Sequence, residues 1–306
     1  MAYFYLIISG ILFGGVVFGG KVLSNMGASL FEIMLYPNLI AGVATLYLAR
    51  HDFKKVFQIP WKISLLFVIT MLAINLGEYA PIFLNIPVSL IVLIVYLQPL
   101  WTILMMHFIF HHKQTKLDWA LVFAMLAGMV ILIDPFHDAH FSALGLFLAL
   151  IAGMGLSVWL ILTKYYTQQG ISPYGTFFAV NLYTVIPLML TYFVFRAFTY
   201  NPSLEAMTLH FSPILWGAFL VYSLIIYTLP NLLIYMNNKN VPATAIGMIL
   251  LLEPVTGVFL DVTFLGVPLT WNILVGGFII LGANALLVWE KNARKKGIKG
   301  DAMPTH

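Results

Sequence analysis

Apolar residues fill ten long stretches of this chain, and short segments richer in charged and polar residues separate them. Each stretch is close to the roughly 20 residues that an α-helix needs to cross a bilayer core of ~30 Å. Helices are the open structures that satisfy their own backbone hydrogen bonds in lipid. The pattern predicts an all-α integral membrane protein with ten transmembrane helices, at residues 3–23, 30–49, 63–84, 86–108, 117–134, 141–163, 174–195, 213–236, 241–264 and 269–289.

The second half of the chain repeats the first. Residues 85–100 align without a gap with residues 240–255, at an offset of 155 residues. The matched pairs include Asn85 with Asn240, Pro87 with Pro242 and Pro99 with Pro254. A second set keeps an offset of 143 residues: Gly10, Lys21, Gly27, Ser29 and Asn38 recur as Gly153, Lys164, Gly170, Ser172 and Asn181. Proline, lysine and asparagine matches in constant register indicate a repeat rather than a chance match between leucine-rich helices.

Each copy of the repeat contains five predicted helices. Because five is an odd number, the second copy must cross the membrane in the opposite sense to the first. We therefore predict two inverted five-helix repeats, at residues 1–138 and 139–290, followed by a basic tail at residues 291–306. Inverted repeats are characteristic of secondary transporters, whose substrate site lies near mid-membrane at the interface between the repeats.

The composition agrees with a membrane protein that has no soluble domain. Of the 306 residues, 61% are hydrophobic and only 8% are charged, which is more apolar surface than a soluble core can bury. The chain has no cysteine, which excludes disulfides and thiolate chemistry. No basic helix or stacking platform indicates a nucleic-acid partner. The predicted partners are membrane lipid and a small-molecule substrate, with no cofactor, for a monomer or a homodimer.

Basic residues fall mainly on one side of the predicted membrane. With ten helices both termini share a side, and 13 of the 15 Lys and Arg residues lie there. These are Arg50, Lys54, Lys55, Lys62, Lys113, Lys116, Lys164, Lys239, Lys291, Arg294, Lys295, Lys296 and Lys299. Because cationic loops stay in the cytoplasm, both termini are predicted to be cytoplasmic.

Two carboxylates, those of Glu253 and Glu78, lie deep within predicted helices. Glu253 follows Pro242 by eleven residues, or roughly 16 Å of helix, which places it near mid-bilayer. A carboxylate in hydrocarbon is unfavourable unless it is paired, hydrated or protonated, so Glu253 is a candidate to carry a proton or hold a cation. The structural alternative is that a protonated Glu253 bonds to the carbonyl of Leu250, which Pro254 frees from its helical bond.

Further candidates share helix faces or the matching position of the repeat. Asn75, Glu78 and Tyr79 have i, i+3 and i+4 spacing, and Tyr227, Asn231 and Tyr235 recur every four residues. Such faces suit a water-filled substrate cavity, although polar contacts between helices give the same spacing. The predicted substrate-binding residues are Asn75, Glu78, Tyr79, Gln98, Trp101, Trp159, Tyr227, Asn231, Tyr235 and Glu253.

Polar residues near the ends of the predicted helices are expected to be solvated. Asp261 lies nineteen residues after Pro242, so it should reach the outer interface. His107, His111, His112 and the loop 134–140 contain acceptable zinc ligands. Because both clusters lie at membrane edges, where such residues are ordinary, no metal site is predicted.

These motifs resemble those of the drug/metabolite transporter superfamily, EamA type, over roughly residues 5–290. The resemblance depends on Tyr79-Ala80, on Asn85-Ile86-Pro87-Val88, on Gln98-Pro99 and on the later Val241-Pro242-Ala243, Glu253-Pro254-Val255 and Gly276-Gly277 with Gly282. It implies ten helices, alternating access, and export or exchange of small metabolites across a bacterial inner membrane. Two stretches depart from the family pattern: Tyr36-Pro37-Asn38, where an arginine is frequent, and Gly266-Val267, where Gly-Glu is frequent.

The sequence and the resemblance together predict a secondary active transporter in a bacterial or archaeal cytoplasmic membrane. Carboxylates, tyrosines and amides without a central Lys or Arg favour a zwitterion or cation. We expect export of an amino acid or related metabolite, coupled to or gated by protonation at Glu253; the alternative substrate is a quaternary ammonium or drug-like cation. A distant alternative is an intramembrane enzyme, but no serine within a predicted helix has a histidine at matching depth.

Overall fold

A computed structural model of the chain describes residues 2–108, 111, 115–133, 141–198, 212–237 and 249–300. The regular structure of these residues is helical, and none of them lies in a β-strand. The α-helices are α1 (Ala2–Phe13), α2 (Gly15–Asn25), α3 (Leu30–Ala49), α4 (Phe53–Gln58), α5 (Trp61–Phe83), α6 (Val88–Val95), α7 (Gln98–Phe108), α8 (Lys116–Ile133), α9 (Ala143–Gln168), α10 (Pro173–Phe198), α11 (Pro213–Val221), α12 (Leu229–Asn237), α13 (Leu252–Phe264) and α14 (Trp271–Gly300). A 3-10 turn at Arg50–Asp52 joins α3 to α4, and a π-helical turn at Tyr222–Thr228 joins α11 to α12.

Seven helical segments within the described residues are long and apolar enough to cross a membrane. They are Tyr3–Asn25, Leu30–Gln58, Trp61–Phe83, Val88–Met105, Ala143–Gln168, Pro173–Phe193 and Pro213–Asn237, with Trp271–Leu287 as a shorter apolar helix. They confirm the prediction of an all-α, multi-pass membrane protein. The count of ten spans stays a prediction, since the ninth predicted helix, at 241–264, is described only from residue 249 onward.

Two helical segments are interrupted at matching positions of the sequence repeat. One is broken at Tyr96 and Leu97, between α6 and α7, and the other at Leu251, just before α13. Tyr96 and Leu251 are 155 residues apart, which is the offset of the aligned stretches. Each break lies three residues before a proline, Pro99 or Pro254, which has no N–H to continue the helical hydrogen bonds.

Close backbone approaches hold the long helices together. Helix α5 packs along α9, α8 along α14, and α3 along α10. Gly77 on α5 lies so close to α9 that a Cβ at that position would collide with the carbonyl oxygen of Leu148 and approach Ala152 Cβ to 2.6 Å. Small residues at such crossings let apolar helices gain van der Waals contact in a medium that supplies no hydrophobic drive between them.

Asp261 is not solvated, so our expectation for this residue was wrong. It is only 1% exposed, and its Oδ2 accepts a hydrogen bond of 2.7 Å from the backbone N–H of Ser89 in the first turn of α6. The residue before α6 is Pro87, whose side chain has no hydrogen-bond acceptor. Asp261 on α13 therefore caps the start of α6, and an acceptor there satisfies one of the backbone donors that a helix leaves free.

Two repeat-related helices begin with different caps. Ser29 caps α3 in a capping box: its Oγ accepts from the Glu32 N–H at 3.2 Å, and Glu32 Oε2 accepts from the Ser29 N–H at 2.9 Å. The matching residues before and in α10 are Ser172 and Gly175. There Asp52, which follows α3, accepts a hydrogen bond from the Ser172 hydroxyl. A Cβ on Gly175 would lie 2.5 Å from Asp52 Cβ, so glycine leaves the space that Asp52 occupies.

Candidate functional site

A cavity lies where segments of both repeats meet. It is lined by Phe13, Val16, Met71, Ile74, Asn75, Glu78, Tyr79, Tyr96, Gln98, Leu156, Trp159, Leu160, Val180, Tyr227, Asn231, Ile234, Leu250 and Glu253. The space open to water-sized molecules has a volume of about 110 Å³. Since a water molecule needs roughly 10–15 Å³ of such space, the cavity would hold on the order of ten waters. That capacity suits a small metabolite.

Eight of the ten residues predicted to bind substrate line this cavity. They are Asn75, Glu78, Tyr79, Gln98, Trp159, Tyr227, Asn231 and Glu253. The structure thus brings them together from α5, α7, α9, α13 and the segment that contains α12. Their role in binding stays a prediction.

Trp101 and Tyr235 are not among the lining residues. Trp101 lies beside α9, where a Cβ on Gly153 would be 3.4 Å from its Nε1. Tyr235 is buried, and its ring centroid lies 6.0 Å from that of Trp159 and 6.1 Å from that of Phe177. Tyr235 therefore packs against Trp159, which lines the cavity, without lining the cavity itself.

Glu253 lies in the first turn of α13 and contacts a residue that the sequence did not single out. The Tyr96 hydroxyl lies 2.9 Å from Glu253 Oε2 and 2.7 Å from the carbonyl oxygen of Leu250. Tyr96 is at the break between α6 and α7, and its own carbonyl accepts a hydrogen bond of 2.9 Å from the buried amide of Asn284 on α14. The bend before Pro254 is thus tied to the break in the other repeat through one phenol.

Our structural alternative for Glu253 assigned the wrong donor to the Leu250 carbonyl. That carbonyl accepts from Tyr96 and not from Glu253. The repeat does not reveal this role of Tyr96, because the matching residue in the second copy is Leu251, which has no hydroxyl. Its position in the sequence does indicate the role: Tyr96 lies two residues before Gln98, which matches Glu253 in the repeat.

Asn75 and Tyr227 belong to a polar bridge across one wall of the cavity. The Asn38 amide on α3 donates to Asn75 Oδ1 at 3.2 Å, and Tyr227 donates its hydroxyl proton to Asn38 Oδ1 at 2.8 Å. Asn231 donates to the Tyr227 carbonyl at 2.9 Å. This bridge joins α3, α5 and the segment after α11, and it fixes the orientation of the Tyr227 ring beside the cavity.

The hydroxyl of Tyr79 forms a hydrogen bond within the protein, although the residue lines the cavity. Its Oη lies 2.6 Å from the Oη of Tyr222, and Tyr222 donates to the carbonyl of Val16 at 3.0 Å. Tyr222 begins the π-helical turn, a feature that often marks functional sites and that the sequence pattern did not predict. The ring of Tyr79 lines the cavity, while its polar end joins α5 to α2 and to the π-helical turn.

The cavity wall is acidic. Glu78 and Glu253 both line it. The described lining residues include no Lys, Arg or His. Two carboxylates without a lining cation repel an anion and attract a cation, especially because a low-dielectric surround strengthens their field.

Family comparison decides what kind of protein contains this site. A model described as the EamA-like transporter family matches the chain twice, over residues 1–133 and 143–289. The chain belongs to the EamA-like transporter family. The predicted resemblance is confirmed, and this EamA-like protein is a membrane transporter of the drug/metabolite type. Proteins of this family are transporters rather than enzymes.

The fold of this EamA-like transporter is also found among solved structures. Sixteen chains of known structure match it. One, a crystal structure described only as that of a protein, has 16% sequence identity and a TM-score of 0.64, covering 96% of this chain and 98% of that one. Identity at this level shows a shared fold alone. No curated protein matches the chain.

The histidine clusters of the EamA-like transporter fall partly outside the described residues. His107 lies at the end of α7, and its ring packs edge-on to Trp119 with centroids 5.2 Å apart. His112 and the loop 134–140 are not described. Within the part of the chain that is described, no three His, Asp or Glu residues cluster in a way that could hold a metal ion.

Proposed function

We propose that this EamA-like transporter is a secondary active transporter that exports a small zwitterionic or cationic metabolite, an amino acid or a related compound, by alternating access. The observation that carries the proposal is the pair of carboxylates, Glu78 and Glu253, on one small cavity. The ammonium group of the substrate bonds to these two carboxylates, and the apolar part of the substrate packs on Phe13 and Trp159, which also line the cavity. The described wall offers no cation for a phosphate.

The architecture supports ten helices in two inverted repeats. The family model matches in two copies, and equivalent contacts recur at the crossings. Ser157 donates to the Gln98 carbonyl at 2.6 Å, and a Cβ at Gly14 would lie 2.7 Å from the Glu253 carbonyl oxygen. Gly14 and Ser157 are 143 residues apart and Gln98 and Glu253 are 155 apart, the two offsets of the sequence repeat. The charge distribution favours cytoplasmic termini in a bacterial or archaeal membrane.

Proton coupling is placed at Glu253 in this proposal. Its carboxylate lines the cavity and has a hydrogen-bond partner in Tyr96. Because an isolated charge at membrane depth is costly, Glu253 holds either a proton or the substrate cation. Competition of the two for one carboxylate, combined with alternating access, exchanges them across the membrane. The protein acts as a monomer or a homodimer in contact with lipid.

Transport into liposomes tests the proposal. Purified protein is reconstituted and offered amino acids, amines, quaternary ammonium compounds and sugar phosphates. We expect uptake of zwitterions or cations, with a pH dependence that Glu253→Gln removes. Glu78→Gln is the matched comparison, because this carboxylate shares the cavity, and we expect it to weaken cation affinity while the pH dependence remains. A sugar phosphate as the sole substrate contradicts the charge argument, and unchanged pH dependence in Glu253→Gln contradicts the proton link.

Aromatic side chains favour one second candidate, a transporter of quaternary ammonium or drug-like cations. Trp159 and Tyr227 line the same cavity as the two carboxylates, and aromatic faces attract cations that cannot donate hydrogen bonds. The substrate panel separates the candidates. If quaternary compounds are transported and amino acids are not, the second candidate replaces the first.

A further inference from the structure

The hydroxyl of Tyr96 has two neighbours but only one proton. It lies 2.7 Å from the Leu250 carbonyl oxygen and 2.9 Å from Glu253 Oε2, both within hydrogen-bond distance. A carbonyl oxygen and an ionised carboxylate are both acceptors, so a phenol proton serves one of them at a time. Both contacts are hydrogen bonds when Glu253 is protonated: Glu253 then donates to Tyr96, and Tyr96 donates to Leu250.

The Leu250 carbonyl depends on an outside donor because of its place in the chain. In a regular helix it would accept from the N–H of residue 254, but that residue is proline. A carbonyl that loses its hydrogen-bond donor also loses the contribution of that bond to stability. The symmetry-related site cannot form the same pair of contacts. There the residue that matches Tyr96 is Leu251, which has no hydroxyl, and the residue that matches Glu253 is Gln98, which has no carboxyl group.

We propose that Tyr96 is a positioning residue that couples the protonation of Glu253 to the bend of the helix at Leu250–Pro254. This inference rests on the proposed proton link at Glu253 and adds how proton loss moves the protein. When the O–H bond of Glu253 breaks, its proton passes to water in the cavity. Tyr96 keeps its own proton and turns it to the new carboxylate, because a charged acceptor forms the stronger bond. The Leu250 carbonyl then loses its donor, and the bend is released.

Other titratable groups near Glu253 affect the equilibrium between its protonated and ionised forms. Glu78 on α5 lines the same cavity as Glu253, so like charges on the two carboxyl groups would oppose each other. Tyr79 on α5 and Tyr227 in the π-helical turn also line the cavity, while Lys21 on α2 does not. A substrate ammonium group between the two carboxylates favours the ionised form of Glu253, so substrate binding and release of the bend occur together.

The absence of cysteine allows a direct test by distance measurement. Phe123 on α8 and Phe259 on α13 are exposed and do not line the cavity. A chain with both replaced by cysteine carries two spin labels, and electron paramagnetic resonance then gives the distance between α8 and α13 without substrate. We expect this distance to differ between acidic and alkaline pH, and a distance independent of pH overturns the inference.

Two variants of the labelled chain should have opposite effects. In Glu253→Gln the amide still donates to Tyr96, so the distance at every pH should be that of the acidic parent. In Tyr96→Phe the Leu250 carbonyl has no donor in either state, so the distance at every pH should be that of the alkaline parent. Tyr166→Phe is the control, since this buried tyrosine bonds to Tyr183 away from the cavity, and it should keep the full pH response.

The outcomes separate the inference from the proposed function. If Tyr96→Phe keeps the pH response while Glu253→Gln loses it, the proton acts through Glu253 but not through Tyr96, and the inference fails alone. If Glu253→Gln resembles the alkaline parent, the proposed chain of hydrogen bonds is wrong even where Tyr96→Phe does not fold. Failure of all zwitterions and cations in the liposome assay rejects the proposed function, and the substrate-free distances do not depend on that result.

Discussion

Replacing Asp261 by alanine should destabilise the protein by removing the cap of α6. The carboxylate accepts from the Ser89 N–H at 2.7 Å, and the two residues are 1% and 0% exposed, so water cannot replace the lost acceptor. Loss of an N-cap typically costs about 1 kcal/mol, and a buried donor without a partner costs about 1–3 kcal/mol. These two figures describe the same lost bond, so we expect about 2 kcal/mol, or roughly a 30-fold change in the folded-to-unfolded ratio.

Asp261→Asn separates the acceptor from the charge. The asparagine oxygen can still accept from Ser89, so this variant loses only the attraction between a negative charge and the helix start, about 0.3–1 kcal/mol. Thermal unfolding of detergent-solubilised protein, followed by tryptophan fluorescence, should rank the parent first, Asp261→Asn second and Asp261→Ala last. An alanine variant as stable as the parent, or an asparagine variant as unstable as the alanine one, would refute the capping role.

Three further predictions use the same measurement. Tyr79→Phe breaks the hydrogen bond of 2.6 Å between the hydroxyls of Tyr79 and Tyr222 and should cost about 1 kcal/mol. Tyr222→Phe also removes the bond to the Val16 carbonyl and should cost more. The double variant should lose less than the sum of the two, because both remove the shared contact, and full additivity would contradict the pairing. Gly77→Ala should lower the melting temperature because its Cβ collides with α9, whereas Gly217→Ala, with nothing within 4 Å, should leave it equal or higher. Asn38→Ala removes both bonds of the polar bridge and should cost about 2 kcal/mol; a melting temperature equal to that of the parent would show that the bridge is dispensable.

Much of the fold was predictable because lipid restricts the choice of structure. A membrane-spanning segment must be apolar and helical, so apolar stretches gave the helices, and the prolines at 99 and 254 coincided with the interruptions. Depth counted along the sequence predicts Glu253 near mid-bilayer, which stays a prediction, and Glu253 lines the cavity. The spacing of Asn75 and Glu78 predicts a shared helix face, and both residues line the cavity. These predictions needed only the geometry of a single helix.

The residues that sequence reasoning missed or placed wrongly depend on contacts between helices. Asp261 was counted to the end of its own helix, but the count could not reveal that the start of α6 lies beside it. Tyr96 has a leucine as its repeat mate, so symmetry hid it. Tyr79 is predicted to bind substrate, but its hydroxyl lies 2.6 Å from that of Tyr222, in a π-helical turn that has no hydrophobic signature.

The unequal caps of α3 and α10 have a consequence for how the two halves of the protein are made. The first half contains both members of its capping box, Ser29 and Glu32. The second half has Ser172 but takes its carboxylate from Asp52, which the ribosome produces 120 residues earlier. Vectorial synthesis therefore delivers the acid before the hydroxyl that uses it. In a carboxy-terminal half expressed alone, Ser172 Oγ could still accept from the Gly175 N–H at the start of α10, but its hydroxyl would lack Asp52 as an acceptor until the amino-terminal half was present.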